Sequence, residues 1–248
     1  MSFFNSALGA MLGFSIGGPI GALIGGVIGS KLGSRKSRFS SKATYTSNQK
    51  QQTAFFVALF ACFAKLAKAD GQVTDEEVEK VDIFIKERFK FDKEQRLFAI
   101  KVFNRAKDDS VTYEEYATQL SNLLSLNKNA LVVFYELLFE LAMSDSVLDV
   151  KEEELLKKTI IIFGLDPNLF TNLKSNLSLS ISDPYKALGV TQDMSFEEIK
   201  KIYLKKRKEF HPDSLISKGL PEELIERAKE KFIEIQDAFK QIENKMKN

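Results

Sequence analysis

Between Gln51 and Leu177 apolar side chains return every three or four residues, with polar ones between them. Phe55, Phe56, Leu59, Phe63 and Leu66 make one such row, and Leu131, Phe134, Leu138 and Leu141 make another. This is the period of an α-helix buried on one face. The pattern predicts helices over 52–69, 74–89, 93–107, 112–126, 128–144, 150–163 and 166–177, and no strand. Their connections are short, which favours antiparallel neighbours in a bundle.

The same period resumes near the C-terminus. Asp183-Pro184-Tyr185-Lys186-Ala187-Leu188 reads as a short helix, with Pro184 at its first position and Gly189 just past its end. Ser195-Phe196-Glu197-Glu198 has the spacing of a capping box and opens a second helix. The apolar residues Ile199, Ile202, Tyr203 and Phe210 fall mostly on one side of it, and Lys200, Lys201, Lys205, Arg207 and Lys208 on the other. Pro212 and Gly219 punctuate the following loop, which holds His211-Pro212-Asp213, and Pro221 opens a third helix. In that helix Ile225, Ala228, Phe232, Ile235 and Phe239 recur at steps of three and four, so it is expected to pack back on the second. The whole chain is expected to be all-α.

The N-terminal segment follows a different rule. Residues 1–30 carry no charged side chain, and Gly9, Gly13, Gly17, Gly21, Gly25, Gly29 and Gly33 recur at every fourth position. Each glycine weakens a helix in water by about 1 kcal/mol against alanine. In a bilayer, by contrast, a stripe of small residues lets two helices approach closely. About 20 residues cross the hydrocarbon core, so residues 1–33 are expected to form one tilted transmembrane helix that pairs with a second copy through its glycines. A secretory signal would need a basic start. A flexible linker would lack Ile16, Ile20, Leu23, Ile24, Val27 and Ile28. Two short helices broken at Gly17-Gly18-Pro19 are the remaining alternative, and a pore-forming peptide fused to soluble domains would rest on the glycines alone.

Charge sets the orientation. No Asp or Glu precedes Asp70, whereas eight Lys and Arg do; the rest of the chain holds 28 basic against 34 acidic residues. Positive charge following the apolar segment places the C-terminal bulk in the cytoplasm and the N-terminus outside. Residues 34–50 read as a basic linker suited to anionic headgroups. A net charge of +2 gives no case for nucleic acid. Cys62 is the only cysteine, which excludes intrachain disulfides and zinc sites built on several cysteines. No phosphate-binding glycine loop and no nucleophile–base pair occurs, so no enzymatic activity and no cofactor are expected.

Two stretches of the middle region are similar at an offset of 75 residues, Ala69 to Glu77 and Ser144 to Glu152. Asp70, Glu77, Asp145 and Glu152 could gather around a hard cation. Thr74-x-x-Glu77 and Asp149-x-x-Glu152 are equally capping boxes, which accounts for the spacing without a metal.

A basic helix, His-Pro-Asp in the loop and an amphipathic helix after it together resemble a J domain. Asp183-Pro184-Tyr185, Leu188-Gly189-Val190, Glu198 to Tyr203, and Lys231-Phe232-Ile235-Ala238-Phe239 extend the resemblance. Lys218-Gly219-Leu220-Pro221-Glu222 further resembles the loop of the membrane-anchored DjlA co-chaperones, and residues 51–177 resemble the tellurite-resistance TerB-like domain carried by that family. The resemblance implies a glycine-patterned span in a bacterial inner membrane, then the TerB-like bundle, a short linker at 178–182 and a J domain over 183–248. It also implies docking on a DnaK-type chaperone, whose ATP hydrolysis would be stimulated. In that role the basic helix face steers the encounter, Asp213 pairs with a partner cation, Pro212 stiffens the loop and His211 supplies ring contacts and a hydrogen bond. One residue departs from the pattern: Lys206 stands three after Tyr203, where J domains usually place an apolar core residue. Either the helix is rotated and Leu204 fills the core, or Lys206 lays its stem along the core with its head in water. A degenerate J domain on a membrane-tethered stress- or metal-sensing scaffold is the alternative that Lys206 favours.

Overall fold

The structure is a computed structural model and describes residues 16–32, 47–69, 71, 73–89, 91–125, 128–145, 148–177, 183–213 and 222–247. Among them there is no strand. The chain divides into two compact units between Gly164 and Leu165.

The first unit is built from α1 (Gly18–Leu32), α2 (Ser47–Ala67), α3 (Asp75–Phe89), α4 (Lys93–Asp108), α5 (Tyr113–Leu123), α6 (Lys128–Ala142) and α7 (Val150–Phe163), with a 3₁₀ turn at Met143–Asp145. In α2 every residue from Ala54 to Ala64 is fully or almost fully buried. A helix apolar on all sides has to be enclosed on all sides, and α2 is packed by α1, α4, α5, α6 and α7. Cys62 lies in this buried run, where loss of solvation pushes its thiol up, away from the thiolate. It is a packing residue.

Aromatic rings join α2 to α3 and to the start of α4. Phe60 lies between 6.0 and 6.4 Å, centroid to centroid, from Phe56, Phe63, Phe89 and Phe91. Most of these pairs are edge-to-face, which the ring quadrupoles favour. At the C-terminal end of α2, Lys65 makes an ion pair of 2.8 Å with Asp109, whose carboxylate also accepts from the Tyr116 hydroxyl at 2.5 Å and from Val111 N–H at 3.1 Å. Between α5 and α7 the Tyr113 hydroxyl meets Thr159 Oγ1 at 2.5 Å, and Thr159 in turn donates to the Leu155 carbonyl at 2.7 Å. These buried polar groups are therefore satisfied, as burial requires.

The N-terminal segment departs from its expected form. α1 has 15 residues, about 22 Å at 1.5 Å per residue, against a hydrocarbon core of about 30 Å. Among the described residues no helix is long and apolar enough to cross a membrane. Ile16, Ile20, Leu23, Ile24 and Val27 are buried, and α1 packs on α2, α4 and α5. Gln119 of α5 clasps its first turn: Ile20 N–H donates to Gln119 Oε1 at 2.8 Å, and Gln119 Nε2 donates to the Gly17 carbonyl at 2.5 Å. The first amides of a helix have no partner within it, and Gln119 supplies one. Gly17 and Gly25 face open space, whereas Gly21 is buried. Gly9, Gly13, Gly33 and residues 34–46 of the linker expected over 34–50 lie outside the described residues, and its last four residues, from Ser47, are already the first turn of α2.

The second unit contains α8 (Leu169–Leu177), α9 (Pro184–Leu188), α10 (Phe196–Glu209) and α11 (Glu222–Lys247). Both α9 and α10 pack on α11. Leu188, Val190, Ile199, Phe210, Ile225, Ala228, Ile235, Ala238 and Ile242 form the buried core. Tyr203 stacks on Phe239 at 4.0 Å with the rings nearly parallel, and Phe196 stacks on the same ring at 5.9 Å.

Phe60→Ala removes the ring at the centre of the aromatic cluster and should lower unfolding stability by about 3–5 kcal/mol. Ile83→Ala, at an exposed position on α3, should stay within about 0.5 kcal/mol. Urea unfolding of both variants checks this, and similar small losses would count against a closed aromatic core.

Candidate functional site

The His-Pro-Asp loop is placed by the two ends of α10. At its start Ser195 Oγ accepts from Glu198 N–H at 3.4 Å, and Glu198 Oε2 accepts from Ser195 N–H at 2.9 Å and from its hydroxyl at 2.7 Å. Those bonds, the Ser195 hydroxyl first and its backbone amide next, hold the Glu198 carboxyl below its usual range. At the other end Phe210 N–H donates to the Lys206 carbonyl at 2.9 Å, and the Phe210 side chain is buried. The chain then turns through His211, and Pro212 and Asp213 begin a further helical turn.

The His211 ring stands edge-on to Phe232 of α11, with centroids 5.3 Å apart and planes at 86°. Its Nδ1 accepts from Asp213 N–H at 3.3 Å, and Asp213 Oδ2 lies 3.7 Å from the same nitrogen. Phe232 thus fixes the ring, and the ring fixes the backbone at Asp213. The Asp213 side chain is 87% exposed, a free carboxylate on a tethered backbone.

Along α10, Lys200, Lys201, Lys205, Arg207 and Lys208 are all exposed, and none makes an ion pair among the described residues. Leu204 is 49% exposed. Its helical neighbours three and four positions away are Lys200, Lys201, Arg207 and Lys208, so an apolar spot stands inside a basic field. Its exposure settles the packing of α10. Leu204 is not in the core. Lys206 is half-buried and carries its ammonium to Gly189, where an added Cβ would lie 2.9 Å from Nζ. Gly189 closes α9 with φ of 65°, so the cation of Lys206 lies beside a helix C-terminus, where positive charge is favoured. With Leu204 outside the core and Lys206 half-buried, the helix is not rotated, which matches the second of the two arrangements expected for Lys206.

In the first unit the repeated acidic turns converge. Glu77 and Glu152, 75 positions apart, line one cleft of about 60 Å³ together with Leu66, Lys80, Val81 and Ser144. Each glutamate is also the return arm of a cap. Thr74 N–H donates to Glu77 Oε2 at 2.6 Å while Thr74 Oγ1 accepts from Glu77 N–H at 3.3 Å. Asp149 N–H donates to Glu152 Oε2 at 3.1 Å while the Asp149 side chain accepts from the first turn of α7. Asp70 and the side chain of Asp145 lie outside the described residues. Among the described residues no group of three His, Cys, Asp or Glu side chains could hold a metal ion.

A helical hairpin that presents His-Pro-Asp beside a basic helix defines the part of the second unit from Asp183 onward as a J domain, and residues 183–248 match the family described as the DnaJ domain. Residues 56–175 match tellurite resistance protein TerB, and residues 1–38 match the co-chaperone DjlA transmembrane domain. Among similar proteins is the co-chaperone protein DjlA of Photobacterium profundum, 30% identical over 223 residues and 79% of either chain. Those of Coxiella burnetii and Shewanella oneidensis are 30% and 27% identical over 78% and 79% of each chain. The chain belongs to the DjlA family of J-domain co-chaperones. No solved structure matches it.

Two variants test the packing of α10. Gly189→Ala should destabilise the J domain by about 1–2 kcal/mol for the left-handed backbone alone, read as a lower melting temperature, and the new methyl also displaces the Lys206 ammonium. Leu204→Gln should stay within about 0.5 kcal/mol; a large loss would put Leu204 back in the core.

The cap of α10 gives a pH signature. The folded-state Glu198 is more acidic than in an unfolded chain, so its contribution is complete above about pH 4.5 and is lost as pH falls through the depressed value. Ser195→Ala should therefore lower melting most near neutrality, and the gap should narrow below pH 4.5. A gap that widens on acidification would contradict this.

Proposed function

We propose that this co-chaperone docks on a DnaK-type chaperone through α10 and the His211-Pro212-Asp213 loop and stimulates its ATP hydrolysis. The observation carrying the reading is the exposed Asp213 carboxylate, on a backbone held by His211, at the end of a helix whose five basic side chains have no ion pair among the described residues. Free positive charge on one face steers an acidic partner and raises the encounter rate. The tethered carboxylate then meets a partner cation at the interface. The chain needs no cofactor or metal in this role and performs no chemistry itself; hydrolysis belongs to the partner.

The anchor in this reading is residues 1–33, a single span in a bacterial inner membrane with the N-terminus outside. Residues 34–46 are a basic linker, 47–177 the TerB-like domain, 178–182 a linker and 183–248 the J domain, all cytoplasmic. Two inserted copies would pair through Gly9, Gly13, Gly17, Gly21, Gly25 and Gly29. The charge asymmetry around the segment supports the orientation, and the match to the DjlA transmembrane domain supports the anchor.

The test compares full-length wild type with Asp213→Asn in ATP hydrolysis by a DnaK-type chaperone. Losing one member of an interfacial charge pair costs about 2–5 kcal/mol, so stimulation at limiting co-chaperone should fall at least tenfold, with helicity unchanged. Neutralising Lys201, Lys205 and Arg207 together should instead slow association and flatten its salt dependence. Equal stimulation by wild type and Asp213→Asn would remove the ion pair, and no stimulation by folded wild type would remove the docking reading.

A further inference from the structure

We propose that the groove between α2, α4 and α5 is a seat for the chain's own membrane segment, so that residues 16–27 exchange between the bundle and the bilayer. The observations pull in two directions. Residues 1–38 match a transmembrane domain, yet Ile16, Ile20, Leu23, Ile24 and Val27 are covered by the bundle. One set of side chains cannot be enclosed by protein and face lipid at the same time, so the two placements exclude each other.

The seat is specific as well as apolar. Gln119 offers both ends of its amide to the first turn of α1, accepting from Ile20 N–H and donating to the Gly17 carbonyl. Arg105 of α4 lies against Gly26, with Nε 3.4 Å from where a Cβ would stand. A Cβ at 26 would stand in ordinary contact with that guanidinium. A helix with free first-turn amides, a β-branched and leucine face and a glycine beside Arg105 is what this groove fits, and α1 is that helix. The occupant is the chain's own copy, because only residues 33–46 separate α1 from α2. So short a tether gives the intramolecular seat a high effective concentration over a second chain.

The proposal concerns the anchor alone, and neither arm of its test reads chaperone stimulation. Full-length Gly26→Cys, Arg105→Cys protein, made without membranes, is treated with a short bismaleimide before or after vesicles of phosphatidylethanolamine and phosphatidylglycerol are added, and the vesicles are then floated. Cys62 is buried and does not compete. An intramolecular product is expected without vesicles and should be largely absent from the floated chain. No intramolecular product without vesicles, or equal yield in floated and unfloated chain, would overturn the seat. Product only between two chains would overturn the choice of occupant. Gln119→Ala should raise the ratio of floated to unfloated chain about fivefold or more, the change expected when two hydrogen bonds of ordinary net strength are lost. Unchanged flotation would overturn the part given to Gln119.

Discussion

The enclosure of α2 is the constraint on which the first unit depends. A helix carrying Phe55, Phe56, Val57, Leu59, Phe60 and Phe63 has no face it can show to water. Five other helices have to surround it, and their own amphipathic patterns are the consequence. α6 is almost as apolar, with Leu131, Val133, Phe134 and Leu138 buried, and it packs directly against α2. These two helices each precede one copy of the acidic repeat. The repeat therefore marks two equivalent steps of chain, each a buried helix followed by a capped amphipathic one. This geometry brings Glu77 and Glu152 to one cleft without any requirement for a ligand. Glu77 already accepts two bonds in its cap and Glu152 one, which leaves each carboxylate fewer lone pairs to offer a cation.

Apolar periodicity made the helices legible, and four of them also have chemically explicit starts. Asp92 with Gln95, Thr112 with Glu115, Asp149 with Glu152 and Ser195 with Glu198 each form a reciprocal cap. The side chain that fits the first turn is visible in the sequence, and so is the Gly164 or Gly189 that ends a helix in the left-handed region. The His-Pro-Asp loop was legible for a related reason, since proline and the flanking helical periods fix where it must turn. The surroundings of α1 were not legible. Hydropathy measures how strongly side chains avoid water, and bundle and lipid satisfy that avoidance alike. The sequence around Gln119 carries nothing to say that its amide would meet a helix 99 residues earlier. The packing of Lys206 was half legible: the departure was visible, but the choice between rotation and an extended lysine depends on Gly189, which comes close only in three dimensions.

The J domain divides its labour between opposite sides of one helix. On its inner side α10 buries only Ile199 completely and half-buries Tyr203. With so little apolar burial, its position has to rest on its cap, on the ring of Phe239 stacked against Tyr203 and Phe196, and on the buried Phe210 beyond its end. None of these involves the basic side chains. Concentrated positive charge destabilises a helix through self-repulsion, and the fold offers little compensation along that face. A helix held by its ends and by one aromatic stack can leave an entire charged face exposed to solvent.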